Sequence, residues 1–276
     1  MKPILVAVVG ITLAVALGCG GSTKNEAPPA NAPAAGAESS APAEGGVPGS
    51  GLARSTPVSD GQSIGTAALA GLVRFSGEPP ARRPIRMSGE AACHKPDAGA
   101  PLTEDVLVNA DGTLRNAWVR VVAGLGDRVF APPAAAVEID QKGCLFAPHV
   151  LLARAGQPIT FANSDPVLHN INALARVNRG FNISLPAPGM RVNKTFAKPE
   201  AVPVKCDVHA WMSAYIVGLE NPFFGVSGDD GSFSISNLPP GDYTLTAWHE
   251  QLGTKEIPVK VEAGKPADVQ IKFAAP

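Results

Sequence analysis

One short segment of the chain concentrates three side chains that bind metals. Cys206, His209 and Met212 follow one another at C-x2-H-x2-M spacing, directly after an apolar run that predicts a strand. A thiolate, an imidazole and a thioether on one loop can point into one small volume. Two His and one Cys in a trigonal set, with a weak axial Met, are the ligands of a mononuclear blue-copper centre. The loop lacks one imidazole, and His169 supplies it from beside a neighbouring predicted strand.

Two other interpretations of this loop stay open from the residues alone. A lone Cys or Met most often fills a hydrophobic core, so Cys206 and Met212 need not bind anything. Zinc also accepts Cys and His, but a structural zinc site normally recruits four such ligands and no thioether. A dinuclear copper centre of the oxidase-subunit type needs two Cys in the loop, and Cys206 is alone there.

The N-terminal residues predict export from the cytoplasm. Lys2 is followed by the apolar run 3–18, which is short for a membrane span of roughly 20 residues and typical of a signal peptide. The run ends at Cys19 in a pattern that resembles a bacterial lipobox. Residues 1–18 are therefore predicted to be a lipoprotein signal peptide, and Cys19 to carry lipid. The mature chain is expected in the cell envelope or periplasm, anchored to the membrane, or secreted if Cys19 is not lipidated.

Residues 19–66 predict a disordered tether. Between residues 20 and 50, 23 of 31 residues are Ala, Pro, Gly or Ser, and no aromatic residue precedes Phe75. Such a segment cannot bury enough apolar surface to offset the entropy of ordering it. A tether behind a lipidated Cys would let a folded domain move over a membrane surface and meet partners.

The remaining cysteines and histidines receive separate assignments. Cys93 and Cys144 are predicted to form a disulfide, because unused cysteines outside the cytoplasm are commonly oxidised. The alternative is that they bind a further metal, with His94 and His149 nearby in sequence. His149 precedes a predicted strand and His249 ends one, and both are interpreted as ordinary polar residues outside the ligand set.

Composition excludes several classes of protein. The 276 residues carry 23 Lys+Arg against 24 Asp+Glu, a net charge of −1, which leaves no basic surface for nucleic acid. The low charged fraction of 17%, with 29 Gly and 27 Pro, argues against coiled coils and large helical bundles. The chain contains no H-E-x-x-H or P-loop motif, and none of its five His forms an H-x-H pair, so we do not expect an enzyme.

Short alternating or apolar runs, separated by turn residues, predict an all-β chain from about residue 67. No long helical period is visible. The predicted strands are 71–76, 105–109, 116–122, 136–140, 149–154, 157–162, 202–206, 215–219, 232–236, 242–248, 256–261 and 268–273.

The two metal-binding segments together resemble the copper-binding halves of a cupredoxin of the plastocyanin and amicyanin group. The resemblance rests on the N-x-D stretch that leads to His169-Asn170 and on the Cys-His-Met loop, and it covers roughly residues 137–220. It implies a Greek-key sandwich with one mononuclear type 1 copper site, whose ligands are His169, Cys206, His209 and Met212. It also implies that Asn170 joins the two ligand loops by hydrogen bonding.

The C-terminal residues carry a second resemblance, to a carboxypeptidase regulatory-like, transthyretin-type β-sandwich. An Asp230-Gly231 turn and a Pro239-Pro240-Gly241 turn bracket one predicted strand within residues 221–276. That family begins with G-x-V-x-F, and residues 71–75 fit this pattern. We therefore hypothesise that residues 67–136 and 221–276 are halves of one sandwich, into which the cupredoxin of residues 137–220 is inserted. Two sandwiches in series are the simpler alternative.

These features together predict an extracytoplasmic copper protein that carries single electrons between redox proteins, such as a cytochrome or a dehydrogenase. Copper binding or storage without redox turnover is one alternative, and a structural β-sandwich lipoprotein is another. Because His209 lies between Val208 and Ala210-Trp211, the edge of its ring is expected to emerge within an apolar patch where the partner docks.

Overall fold

The structure is a computed structural model that describes residues 64–87, 89–93, 99–265 and 267–275. The predicted signal segment 1–18, Cys19, residues 19–63 of the predicted tether and His94 lie outside the described residues. Within those residues the chain forms sixteen β-strands. In this part of the chain there is no helix long and apolar enough to cross a membrane.

The strands, in chain order, are β1 (Ala67–Ser76), β2 (Trp118–Ala123), β3 (Val137–Gln141), β4 (Phe146–Ala147), β5 (Val150–Arg154), β6 (Pro158–Asn163), β7 (His169–Ala173), β8 (Phe181–Leu185), β9 (Met190–Thr195), β10 (Glu200–Lys205), β11 (Ser213–Leu219), β12 (Phe224–Val226), β13 (Ser232–Leu238), β14 (Gly241–His249), β15 (Gly253–Val261) and β16 (Ala267–Ala274).

Strands from both ends of the described chain form one sandwich, here called the flanking sandwich. Its two sheets have the strand orders β13-β1-β16 and β12-β2-β14-β15. β1 runs antiparallel to β13 and parallel to β16. Alternate residues of β1, including Leu69, Val73 and Phe75, are buried in the core between these sheets, as expected for a strand with one face on a core.

The nine strands β3–β11 form a second sandwich, here called the central sandwich. Its sheets have the orders β5-β11-β10-β7-β8 and β4-β3-β6-β9. The chain crosses between these sheets after β4, β5, β6, β8 and β9, which is a Greek-key arrangement. The predicted fold class, all-β with a Greek-key sandwich and a second β-sandwich, is confirmed.

The order of the strands places the central sandwich between two parts of the flanking sandwich. β1 and β2 hydrogen-bond to β12, β13, β14 and β16, and to no strand of the central sandwich among the described residues. These pairings are the ones that the inserted arrangement requires. The domain boundaries at residues 136 and 221 stay a prediction.

The two sandwiches share a small apolar cluster. Trp118 and Phe224 of the flanking sandwich pack with Val150, Leu152 and Val217 of the central sandwich. Aromatic contacts extend this cluster, because Tyr215 meets Trp248 edge to face with ring centroids 5.1 Å apart, and Trp248 stacks on Trp118 at 5.8 Å. The contact therefore buries apolar surface from both sandwiches and favours a fixed mutual orientation.

One predicted strand is wrong. Residues 105–109 form no strand, and Val108 makes only an isolated bridge to Leu114. The chain instead forms a turn after these residues. Asp111 Oδ1 accepts hydrogen bonds there from the Thr113 N–H at 3.0 Å and the Thr113 hydroxyl at 2.7 Å. Such local bonds hold the chain in a turn and compete with sheet pairing.

Candidate metal centre

The loop 206–212 joins two antiparallel neighbours, β10 and β11. Lys205 pairs with Ser213, so the seven residues between them form the whole connection. The Cys206 N–H donates to the Met212 carbonyl at 3.2 Å, and the Met212 N–H donates to the His209 carbonyl at 2.9 Å. Cys206 and Met212 therefore lie opposite each other at the base of the loop, with His209 between them.

His169 reaches this loop because it begins β7, the other neighbour of β10. Asn172 pairs with Lys205 and Ala173 with Val204. The antiparallel pairing places the start of β7 beside the residues that follow β10. Two segments that are 37 residues apart in sequence thus meet at the same end of one sheet.

Three of the four predicted ligands lie around one point. His169 Nδ1 is 2.9 Å from His209 Nδ1, and Cys206 Sγ is 3.9 Å and 3.8 Å from these two nitrogens. All three side chains are buried, with 0–3% of each residue exposed. A triangle with these sides has its centre about 2.1 Å from each donor atom, and metal bonds to imidazole and thiolate are roughly 2.0–2.3 Å long. The donor set therefore fits one metal ion.

The electrostatics of the triangle favour a thiolate. Burial opposes ionisation of Cys206, but its hydrogen bond with the protonated His169 ring and those with the backbone of Asn170 and His209 bring its pKa below the ordinary value for a thiol. Burial also disfavours the charge on His169, yet its contacts with Cys206 and Asp165 raise its pKa. Burial and the charge of His169 lower the pKa of His209. Thiolate and neutral imidazole are the forms that bind metals.

Met212 is fully buried, and its side chain belongs to the same apolar cluster as Cys206. Its place at the base of the loop, opposite Cys206, is compatible with an axial ligand. That role stays a prediction.

Asn170 joins the two ligand segments. Its Oδ1 accepts a hydrogen bond from the Asp207 N–H at 2.6 Å, next to Cys206 in the chain. Its Nδ2 donates to the Asp207 carboxylate at 2.8 Å. Side-chain hydrogen bonds from Asn172, Asn182 and Asn170 in turn lower the pKa of Asp207. This network holds the start of the ligand loop against β7 and β8.

Cys93 and Cys144 form a disulfide, with their Cα atoms 5.4 Å apart. The alternative, in which they are metal ligands, does not describe this structure. The bond lies beside the triangle, since Cys93 Sγ is 3.9 Å from His209 Nε2. The expectation that the edge of the His209 ring emerges at the surface is therefore wrong. Only 3% of His209 is exposed, and Cys93 lies against its ring.

No role was predicted for Asp165 from the sequence, yet the structure places this residue beside His169. Its Oδ2 lies 3.0 Å from His169 Nε2, and its two oxygens accept the N–H groups of Gly143 and Cys144 at 2.7 Å each. Its position four residues before a candidate ligand was the available signal. The fold was needed to show that its carboxylate turns toward that ligand.

The other two described histidines lie away from the triangle. His149, next to β5 of the central sandwich, pairs with Glu250, which follows β14 of the flanking sandwich. The Nδ1 atom of His149 is 3.9 Å from the Glu104 carboxylate. His249 is buried in the flanking sandwich, where its Nδ1 accepts the Gln251 N–H. Burial, followed by the charge of His149, lowers the pKa of His249 to about 4. Neither residue belongs to a candidate metal group.

The His149–Glu250 pair predicts a pH-dependent stability. Burial opposes the charge on His149, but the hydrogen bond and charge of Glu250 raise its pKa in the folded protein. A raised pKa stabilises the fold fully below the unfolded value of about 6.5, and this contribution disappears as pH rises through the folded value. We expect Glu250→Gln to lower the free energy of unfolding by about 1–3 kcal/mol at pH 6 and by less at pH 9.

Urea unfolding of both chains at the two pH values measures this difference. The comparison also removes the part of the His249 contribution that comes from burial, since burial lowers the pKa of His249 in both chains. An equal loss at pH 6 and pH 9 would mean that His149 carries no extra charge in the fold.

Comparison with known proteins gives one family match and several structural similarities. Residues 223–274 match the carboxypeptidase regulatory-like domain family. The predicted presence of a carboxypeptidase regulatory-like domain is confirmed, and its predicted bounds, residues 221–276, stay a prediction. No curated protein sequence matches the chain.

The structural similarities are partial. A copper-containing nitrite reductase from Thermus scotoductus SA-01 is 25% identical over 37% of this chain and 26% of its own, with a TM-score of 0.30. A purple cupredoxin from Nitrosopumilus maritimus is 21% identical over 30% of this chain and 99% of its own, with a TM-score of 0.27. Amicyanin from Paracoccus versutus is 17% identical over 37% of this chain and 97% of its own, also with a TM-score of 0.27.

Proposed function

We propose that this chain is an extracytoplasmic type 1 copper protein that carries single electrons between redox proteins. The observation that carries the proposal is the triangle of His169 Nδ1, His209 Nδ1 and Cys206 Sγ, whose sides of 2.9–3.9 Å suit one ion. Copper, when bound, would supply the Cu(II)/Cu(I) couple. His169, His209 and Cys206 would be the strong ligands and Met212 the weak axial one.

The protein's own residues serve electron transfer by keeping the site rigid and dry. The Asn170 hydrogen bonds join the two ligand segments, and the ligand side chains are almost completely buried. A site that changes little in geometry and excludes water suits a metal that alternates between two charges. The same hydrogen bonds would keep His169, Cys206 and His209 in place when the charge of a bound ion changes.

The proposed partner is a redox protein such as a cytochrome or a dehydrogenase. Leu168 and Val208 each precede a ligand histidine, and they are 44% and 48% exposed. Apolar side chains next to the ligands would allow brief docking close to the metal, and the net charge of −1 gives little electrostatic steering. Lipid at Cys19 and the tether would keep this encounter at the membrane of the cell envelope.

We do not propose an enzyme. Residues 61–65 read Gly-Gln-Ser-Ile-Gly, which has the G-x-S-x-G spacing of a nucleophile elbow. That motif requires a strand before it and a helix after it. Here β1 follows it instead, from Ala67, and Ser63 lies outside the described residues.

The visible spectrum of the purified mature protein with added Cu(II) tests the proposal. We expect an intense thiolate-to-copper absorption that bleaches on reduction and returns on oxidation. Cys206→Ser should abolish it, because no other free cysteine lies among the described residues. His249→Gln is a matched control, since this histidine is buried but remote from the triangle, and it should keep the absorption.

The outcomes separate the alternatives. An absorption that does not return after a cycle of reduction and oxidation would favour copper binding or storage. No thiolate absorption in the wild-type protein, or the same absorption in Cys206→Ser, would leave a structural sandwich with Cys206 as a core residue.

A further inference from the structure

The carboxylate of Asp165 links one candidate ligand to the disulfide. Asp165 Oδ1 accepts the Gly143 N–H and Oδ2 accepts the Cys144 N–H, both at 2.7 Å. The same Oδ2 is 3.0 Å from His169 Nε2. The Asp165 N–H itself donates to Asn163 Oδ1 at 2.9 Å. Only 8% of Asp165 is exposed, so water competes little for these contacts.

This arrangement selects one tautomer of His169. A neutral imidazole has one N–H and one lone pair, and a carboxylate can only accept. Nε2 therefore carries the hydrogen toward Asp165, and the lone pair is on Nδ1. Because Nδ1 faces Cys206 Sγ and His209 Nδ1, the lone pair points into the ligand triangle.

The carboxylate cannot easily turn away. Each oxygen is held by a backbone N–H, and one of those N–H groups belongs to Cys144, which is fully buried and tied to Cys93. The disulfide therefore holds the loop that contains Cys144. Backbone N–H groups of this loop hold the Asp165 carboxylate, and the carboxylate orients the His169 ring.

The second imidazole has a different neighbour. His209 Nε2 faces the disulfide sulfur of Cys93 at 3.9 Å, and no carboxylate among the described residues hydrogen-bonds to this ring. Only one of the two imidazoles is therefore hydrogen-bonded to a carboxylate. A carboxylate behind a ligand imidazole makes that ligand more basic and favours the more highly charged state of the metal.

We infer that Asp165 is a positioning residue. It holds His169 as the Nε2–H tautomer with Nδ1 toward the ligand triangle, and it transmits the rigidity of the Cys93–Cys144 disulfide to the metal centre. This inference rests on the proposed function where it concerns copper. The tautomer itself is a property of the metal-free protein.

Asp165→Asn tests the role with little change in shape. An asparagine amide would donate toward His169 Nε2 or toward the backbone N–H groups, so it cannot satisfy all three partners. We expect the metal-free variant to shift His169 to the Nδ1–H tautomer, copper affinity to fall about 10–100-fold, and the reduction potential to rise. Asp140→Asn is the matched control. It removes a carboxylate whose one hydrogen bond among the described residues comes from Ser164, next to Asp165, and it should change none of these quantities.

Nitrogen-15 NMR of the histidine rings in the mature, metal-free protein, above the pH at which His169 is neutral, gives the first readout. A wild-type His169 found as the Nδ1–H tautomer would overturn the inference, whatever the variant does. An unchanged tautomer, affinity and potential in Asp165→Asn would also overturn it. If the tautomer is as expected but no copper binds the wild-type protein, the positioning role stands and the proposed function fails.

Discussion

Replacing Cys93 and Cys144 together by alanine is expected to lower the free energy of unfolding by about 4 kcal/mol. The bond joins residues 51 apart, and closing a loop of this length removes much conformational entropy from the unfolded chain. Few other bonds among the described residues hold the segment before Cys93, since the backbone bonds there are local ones from the Glu90 N–H to Met87 and from the Cys93 N–H to Glu90. Removing the crosslink should therefore lower the free energy of unfolding by close to the full amount expected for a loop of this length.

Denaturant unfolding of the mature protein measures this loss. The wild-type chain unfolded in the presence of a thiol reductant is the internal comparison, and it should resemble the double variant. A change of less than about 1 kcal/mol would show that the crosslink does not restrict the unfolded chain. The double variant should still give the thiolate absorption, because β7 and the β10–β11 loop position the triangle.

Arg154→Met is expected to lower the free energy of unfolding by about 2–5 kcal/mol. Arg154 is 2% exposed, and its Nη2 donates to the Phe130 carbonyl at 2.9 Å and the Glu220 carbonyl at 3.0 Å. Phe130 lies between β2 and β3, and Glu220 lies between β11 and β12. The guanidinium therefore binds both chain segments that connect the two sandwiches. Methionine keeps the apolar stem but leaves two carbonyls without this donor, at about 1–3 kcal/mol each.

Arg120→Met provides the matched control for Arg154. Arg120 also approaches Glu220, but as an ion pair of 3.9 Å in which the Glu220 side chain is 63% exposed. Such a pair contributes about 0–1 kcal/mol. Denaturant unfolding should therefore separate the two variants by more than 1 kcal/mol. Hydrogen exchange at residues near 130 and 220 should accelerate in Arg154→Met alone, and equal effects in both variants would contradict the bridging role.

Residue types and their spacing predicted the structure well where the contacts join residues that are close in sequence. The Cys206–Met212 spacing predicts that three donors share one loop, and the strands on either side of it were predicted with errors of a few residues. The turns that bracket β13 were equally clear, because Asp230-Gly231 and Pro239-Pro240 have strong local preferences. Asp230 accepts hydrogen bonds from the Ser232 N–H and hydroxyl, as such a turn requires.

Strands were hardest to predict from the sequence where polar residues either form a strand or interrupt one. β8 and β9 were missed, because their exposed positions are polar and their inner positions, apart from Leu185, are only half-buried. Residues 105–109 have the composition of a strand, but the chain closes into a turn, because Asp111 accepts a hydrogen bond from the Thr113 N–H and Asn109 donates one to the Thr113 hydroxyl. Strand preference depends on neighbours across the sheet, which a single segment does not contain.

The sequence by itself determined the chemistry of this protein: one free thiol, imidazoles and a thioether at metal-binding spacing, within an all-β chain. Tertiary structure alone decided how these groups are used. It brought His169 beside Cys206, turned Asp165 toward His169, and placed the Cys93–Cys144 disulfide over His209. The physical reason is that such contacts join residues 37 to 116 apart, or depend on the direction of a side chain in a turn. The local conformational preferences of the chain cannot specify such contacts or such side-chain directions. The packing of the two sheets specifies them.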